Sequence, residues 1–577
     1  MADNSVSSQV GSNEIENETE TLPYSHELMI KKITRCTISL GLSLNQIATP
    51  SFVPFMKALN PHYELIDHRD VIKEAIKEFA DLKKELLSTF ASLSHRVALA
   101  CDVWRNENEL DFIRITAHWI DSDWSMQRRI INFKMLDFPC AASISDPVVK
   151  SLDAWGIKDK TFSLTVDDVC DNADAVGEIK NAVHPILDGK LFRVRCVNRV
   201  LSLCILDGLD LVNEMLTKIR NGFGKPVFNP ESYISLCEKY GLKPKYNMFD
   251  DGYNWDSTLE MLKRCMPYKD VLNEFIARHW PDEKSDEITE QDWEVASIYI
   301  RFLNVFYEAV DCISSNYCPT SSGVLLQLVN IAKLFSEYRG SVMFEEKFLP
   351  MEEKFLKHYD KIPDLFCLAT VMDPRIKLSG CECLLESFYQ CTDNTKVNLE
   401  EEKKEISNLL HEMYNVYTSQ SSEKQQPSSE PSASFRTSDF AWSLISQKKR
   451  KTENPAFNEL TFYLESPHVF EEYFDLLTWW ESHELMYPVL ATMARDLLTT
   501  PASTLAPDCA FMRNVEKKIK DKSYHLNGAF LEIYTCLRDW FNAELGSQGD
   551  REPYDEEEMC CEFDDQEIPV HEELEDP

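Results

Sequence analysis

Two carboxylates stand where short apolar runs end. RVALACDVW, from Arg96 to Trp104, is almost uninterrupted apolar sequence until Asp102. FSLTVDDVCDN repeats the pattern, with a run from Phe162 to Val166 that ends at Asp167. Runs of this length between polar residues read as strands buried on both faces. A carboxylate ending such a strand is half in the core, where its charge is costly without a cation or a hydrogen-bond network. Two such strands describe a two-metal site for phosphoryl transfer. An aspartate in that place also serves as a turn residue or a helix N-cap.

The flanking elements must position this pair. Residues 23–95 read as helices. In EAIKEFADLKKELLSTF, from Glu74 to Phe90, the residues Ile76, Phe79, Leu82, Leu86 and Leu87 share one side at helical spacing. After the first strand, FIRITAHWI alternates Ile113, Ile115, Ala117 and Trp119 with polar neighbours, and RIINFKML does the same with Ile131, Phe133 and Met135. With a turn at Asp121 between them, they predict an antiparallel meander of three strands. SDPVVKSLDAWG is a helix capped by Ser145 or Asp146, with Pro147 in its first turn and Gly156 after its end. A fourth strand ends at Asp167, and a helix follows from about Asn172. LFRVRC from Leu191 makes a fifth strand before the amphipathic VLSLCILDGLDLV. Three antiparallel strands followed by alternating strands and helices are the order of the RNase H-like fold, here over residues 96–220. Polynucleotidyl transferases with this fold take a third carboxylate from a later helix. Residues 221–420 lose the strand signal and read as a separate all-α unit.

At 577 residues, with 44% apolar content, the chain is expected to form two to four globular units. The net charge is −37. The first twenty residues contain no Lys or Arg, and the sequence after Asp550 is almost wholly acidic. Residues 1–22 and 546–577 are therefore expected to be disordered. The remaining body is still acidic, which argues against strong non-specific nucleic-acid binding. The 18 cysteines are scattered, and no CxxC is matched by a distant HxxxH, so no zinc finger is expected. Neither the CxC at Cys381 and Cys383 nor the Cys560–Cys561 pair makes a convincing metal site. With no signal peptide and no long apolar span, a reducing intracellular compartment and no membrane are expected. Residues 421–457 form a Ser-, Pro- and Gln-rich linker, expected to be disordered, that leads into the basic tetrad Lys448, Lys449, Arg450 and Lys451. Such a tetrad matches a nuclear localisation signal. A compact helical segment, residues 458–545, follows, with Leu490, Met493, Leu497 and Leu498 on one face.

These residues resemble the hAT-superfamily transposases, and most of all the domesticated plant SLEEPER type. CDVW at Cys101 matches the family's T-D-x-W, and TVDDVCDN at Thr165 matches TVDNASAN. NWDSTLEML at Asn254 matches RWNSTYLML, and VMDPRIKL at Val371 matches VLDPRxKL. The stretch from Asn458 through FDLLTWWESHELMYPVLATMARDLLTTPAST matches the C-terminal dimerisation motif. The resemblance spans about residues 24–543. It implies an α/β chain with an RNase H-like core interrupted by a large all-α insertion, and a helical C-terminal dimerisation segment. It also implies an intertwined dimer, usually preceded by a DNA-binding BED zinc finger, for which this sequence offers no cysteine–histidine set.

The family carboxylates carry over to Asp102, Asp167 and, in APDCAFM, Asp508, where the family has glutamate in ASESAFS. Aspartate is one methylene shorter, and a displacement of about 1 Å can cost a hundredfold in rate. Pro507 replaces a serine and removes an amide donor. The family histidine of CAHxLNL falls on Arg199, a cation expected to pair with Asp102 or Asp167 in place of a metal. The family's base-stacking tryptophan falls on Trp255, behind Asn254 where the family has arginine; a core aromatic is the plainer role. Trp255 and Arg199 are the candidate DNA contacts. Phe474, Leu477, Trp479, Trp480, Tyr487, Leu490, Met493 and Leu497 are the candidate dimer contacts. The combination predicts a vestigial, non-catalytic nuclear protein with no cofactor, which forms a homodimer or larger assembly and binds DNA in a regulatory role. The alternatives are an active Mg²⁺-dependent DNA transposase using Asp102, Asp167 and Asp508, and a decayed element product with no role.

Overall fold

The computed structural model describes residues 24–105, 110–246, 250, 254–281, 287–340, 344–393, 397–423, 458–471, 473–505, 517–518 and 528–548. Asp508, the basic tetrad Lys448–Lys451, residues 1–22 and most of the linker and acidic tail lie outside them.

One sheet carries the site. Its strands are β1 (Val97–Arg105), β2 (Asp111–Ile120), β3 (Met126–Leu136), β4 (Thr161–Val166) and β5 (Arg193–Arg195), in the order β3-β2-β1-β4-β5. The first three are antiparallel, while β4 and β5 run parallel to β1. A short strand, β6 (Lys517–Lys518), pairs with Trp104 and Arg105 at the far end of β1. The meander and the parallel additions agree with the order read from sequence.

Both faces of the sheet are covered. One buries Val97, Leu99, Cys101, Ile113 and Ile115 with the helices α1 (His26–Ser39) and α3 (His68–Ser92). A short helix, α2 (Phe52–Leu59), lies between them. In α3 the inward positions include Glu74 and Glu78, and Ile76 is 48% exposed, contrary to its expected place on the buried side. Glu78 is held there by Lys31 at 2.6 Å and Arg35 at 2.7 Å. In β2 the polar residues that alternate with Ile113, Ile115 and Ala117 are not solvated: Arg114 and Thr116 are buried too. In β3, a register shift opposite Ile115/Thr116 buries Ile131 and Asn132, and Met135 is 51% exposed.

Helix α4 (Ala141–Trp155) starts a turn earlier than expected, at an N-cap Cys140, so Pro147 lies inside it; Gly156 ends it at φ +65°. Helix α5 (Ala173–Val183) is capped by Asn172, and α6 is Val197–Asp210. The described helices that follow share one hydrophobic core with Ile120, Phe162 and Val194 of the sheet. They comprise α7 (Asn213–Gly224), α8 (Pro230–Lys239), α9 (Trp255–Cys265), α10 (Lys269–His279), α11 (Glu290–Ile313), α12 (Val324–Tyr338), α13 (Leu349–His358), α14 (Asp364–Val371), α15 (Lys377–Thr392) and α16 (Leu399–Glu423). Their core is continuous from Phe162 and Leu201 through Trp255, Trp293 and Phe366 to Trp480 and Leu497, so this helical body is not a separate core.

The C-terminal helices α17 (Glu459–Glu465), α18 (Leu476–His483) and α19 (Pro488–Thr499) close that core, and α20 (Gly528–Glu544) packs on β3. Two buried charges fasten them. Lys377 Nζ, 2% exposed, donates to the carbonyls of Tyr463, Ser466 and Pro467 and to Ser466 Oγ. Asp496, fully buried, accepts from Arg96 N at 2.8 Å, from Arg96 Nη1 at 2.9 Å and from the Tyr417 hydroxyl. No described helix is long and apolar enough to cross a membrane.

Candidate functional site

The parallel register places Cys101 beside Val166, so β1 and β4 bring Asp102 and Asp167 to adjacent positions at the same end of the sheet. Asp167 N donates to the Cys101 carbonyl at 3.3 Å. The geometry expected of the pair is present; its surroundings differ.

Asp102 is 1% exposed. Directly opposite it on β2 stands Arg114. Asp102 Oδ1 accepts from Arg114 Nε at 3.0 Å, and Oδ2 accepts from Arg114 Nη2 at 2.8 Å and from Trp104 Nε1 at 3.0 Å. The guanidinium lies 4.5 Å from the centroid of the Trp104 ring and also donates to the Thr504 carbonyl at 2.9 Å. This is a two-pronged, buried ion pair, the strongest geometry available to these groups. It joins Asp102 to the segment that leads toward Asp508.

Asp167 serves its own turn. Its Oδ1 accepts from Cys170 N at 2.8 Å, and Oδ2 accepts from Val103 N at 3.1 Å. Both carboxylates thus spend their oxygens on protein donors. The Mg²⁺ that the fold implies would have to displace a guanidinium at Asp102 and backbone amides at Asp167, so these residues as placed do not fit it. Among the described residues, no group of three His, Cys, Asp or Glu side chains could hold a metal. Cys381 is buried and Cys383 exposed, so the CxC forms no chelate. Next to the pair, the thiols of Cys101 and Cys170 lie 3.4 Å apart; contact with Cys101 and then burial push the Cys170 thiol well up.

Arg199 does not do what its position suggested. Its Nε and Nη2 reach Asp168 Oδ1 and Oδ2 at 2.9 and 3.1 Å, rather than Asp102 or Asp167. The reason is local: Arg114 already occupies Asp102, Asp167 is turned onto amides, and Asp168 offers a free fork. With its guanidinium so engaged and its side chain 7% exposed, Arg199 is not presented as a DNA contact. Trp255, the first residue of α9, is 0% exposed within the helical core. It fills the core-aromatic role, and a base could stack on it only if the packing opened.

Most candidate dimer residues are likewise turned inward. Trp480, Leu490, Met493 and Leu497 are fully buried, Tyr487 and Leu477 nearly so, and Phe474 and Trp479 are half-buried against the same core. Trp480 Nε1 donates to the Met372 carbonyl at 2.9 Å. What the segment shows to solvent is different: Phe470 is 90% exposed, Tyr473 91%, Leu485 79%, and Phe462 and Met486 about two-fifths. Sequence periodicity missed Phe470, Tyr473 and Leu485 because they lie between helices.

Four family profiles match consecutive parts of the chain. They are the ZBED1 RNase-like domain over residues 100–190, the ZBED1 RNase-like helical domain over 194–302, the hAT-like transposase, RNase-H fold, over 324–417, and the hAT family C-terminal dimerisation region over 459–541. The chain is similar to the zinc finger BED domain-containing protein RICESLEEPER 1 of Oryza sativa subsp. japonica, at 24% identity over 90% of this chain and 75% of that protein. It is 27% identical to DAYSLEEPER of Arabidopsis thaliana, over 91% of this chain and 75% of that one. A putative AC transposase of Zea mays is 24% identical over 91% of this chain and 67% of its own length. The chain is a hAT-family transposase-like protein, with RNase H-like domains and a hAT C-terminal dimerisation region.

Proposed function

We propose that this chain is a domesticated, non-catalytic derivative of a DNA transposase that self-associates through its C-terminal region and binds DNA in the nucleus in a regulatory role. The observation that carries the reading is the Arg114 fork on Asp102. A buried carboxylate already neutralised by a buried guanidinium has little to gain from a divalent cation, and removing the guanidinium would cost several kcal/mol. The aspartate at position 508, where the family has glutamate, points the same way.

Self-association is supported by Phe470, Tyr473 and Leu485, which expose large apolar side chains inside the matched dimerisation region. Burying each is worth roughly 1.5–3 kcal/mol, enough for a few of them to anchor a contact between two copies. Nuclear entry is assigned to Lys448–Lys451. The body's acidity restricts any DNA contact to a local surface, since a basic field over the whole molecule is lacking.

One observation favours the second reading, an active Mg²⁺-dependent transposase: Asp102 and Asp167 remain side by side at the ends of parallel strands. That enzyme would require Arg114 to leave Asp102 when DNA and metal bind. Chromatin precipitation of the full chain tests the proposed role. Recovery of a reproducible set of genomic sites supports it, and recovery no better than a mock sample refutes DNA binding.

A further inference from the structure

On the same face of β2 as Arg114, further along the strand, lie Thr116 and His118. They line a small cavity of about 20 Å³ together with Arg128, Ser314, Asn316 and Ser503. It sits between the sheet, the end of α11 and the segment 501–505 that leads toward Asp508. A space of that size holds one water-sized species.

Its lining is one-sided chemically. Hydroxyl, amide, imidazole and guanidinium groups surround it, and none of the described lining residues is Asp or Glu. Arg128 stands directly across from His118 in the β2–β3 register and is 7% exposed. Among the described residues, the one carboxylate paired with Arg128 is Asp539, with Nη1 and Oδ1 3.5 Å apart. That carboxylate is itself engaged, accepting from Ile130 N at 2.7 Å and from Gln548 Nε2 at 2.9 Å. Arg114 is matched by Asp102, whereas among the described residues Arg128 has only this long contact with Asp539. The imidazole of His118 reports the same field: burial first, then Arg128 and Arg114, push it down to about 3. An uncompensated buried charge is costly, and a counter-ion is the direct remedy.

We propose that this cavity binds a monovalent, water-sized anion, chloride, held by Arg128 and the surrounding hydroxyl and amide donors. Phosphate and sulfate are too large for it. The bound ion would tie β2 and β3 to α11 and to the 501–505 segment, beyond anything the transposase ancestry assigns.

The test uses the full chain purified in chloride-free methanesulfonate buffer. Thermal unfolding is followed while chloride or bromide replaces methanesulfonate at fixed ionic strength. A saturable rise in Tm with both halides is expected, with at least tenfold weaker apparent binding in Arg128→Gln. Crystals grown in bromide should show an anomalous peak in the cavity beside Arg128, a readout that holds even if the variant fails to fold. A cavity filled by water without an anomalous peak, or a Tm unchanged by either halide, overturns the proposal.

Discussion

Replacing Arg114 by methionine removes the cation from Asp102 while keeping most of the buried volume. Asp102 is 1% exposed and loses both contacts to Arg114 while keeping the one from Trp104 Nε1. Breaking one side of a buried pair typically costs about 3–5 kcal/mol, because the surviving charge has no water to replace its partner. At about 2–4 °C per kcal/mol for a domain of 150–250 residues, the transition that includes the sheet should fall by about 6–20 °C. The second substitution, Asp102→Asn, neutralises the stranded carboxylate. The double variant Asp102→Asn/Arg114→Met should therefore recover part of the loss, with a coupling of about 1–3 kcal/mol between the sites. Differential scanning calorimetry of the four proteins closes the cycle. An Arg114→Met protein that melts within about 2 °C of the parent, or a double variant no better than the sum of the singles, would refute the ion pair as the support of Asp102.

Three other outcomes are expected. Phe470→Ser with Tyr473→Ser should weaken self-association in light scattering while leaving the monomer's Tm nearly unchanged, whereas Leu490→Ala, at a fully buried site, should cost about 2–5 kcal/mol in folding. Because the folded-state pKa of His118 lies near 3, below its unfolded value of about 6.5, the unfolded chain binds the extra proton between those limits. In halide-free buffer, stability should fall as the pH is lowered through that window, by no more than about 1.4 kcal/mol per unit, and His118→Asn should flatten the slope; an equal slope in both proteins removes the cause. Alanine at Lys448–Lys451 should move a tagged chain to the cytoplasm, and unchanged nuclear accumulation would place the signal elsewhere.

The strand ends that carry the two aspartates were legible because a buried apolar run punctuated by a carboxylate is a local pattern. The same holds for the Asn172 cap and for Gly156, whose φ of +65° ends α4. What escaped were pairings across distance. Arg114 sits in the middle of FIRITAHWI, and a permanent cation in so apolar a strand is itself a signal that a buried carboxylate must face it. Nothing in the period-two alternation of that strand reveals that α19 and the 501–505 segment cover its polar side. Arg199 was assigned by its position in a motif, and its partner was decided by which carboxylate still had a free fork. In the C-terminal region, helical periodicity found residues that close a core, while the exposed Phe470, Tyr473 and Leu485 carry no periodic signature.

The central claim, that the paired aspartates no longer form a metal-dependent strand-transfer centre, is tested most directly by a cleavage assay. The purified full chain would be incubated with supercoiled and linear DNA in Mg²⁺ and in Mn²⁺, alongside Asp102→Ala. The account predicts no nicking above the level of the Asp102→Ala protein in either metal. Metal-dependent cleavage by the parent chain that disappears in Asp102→Ala would contradict it.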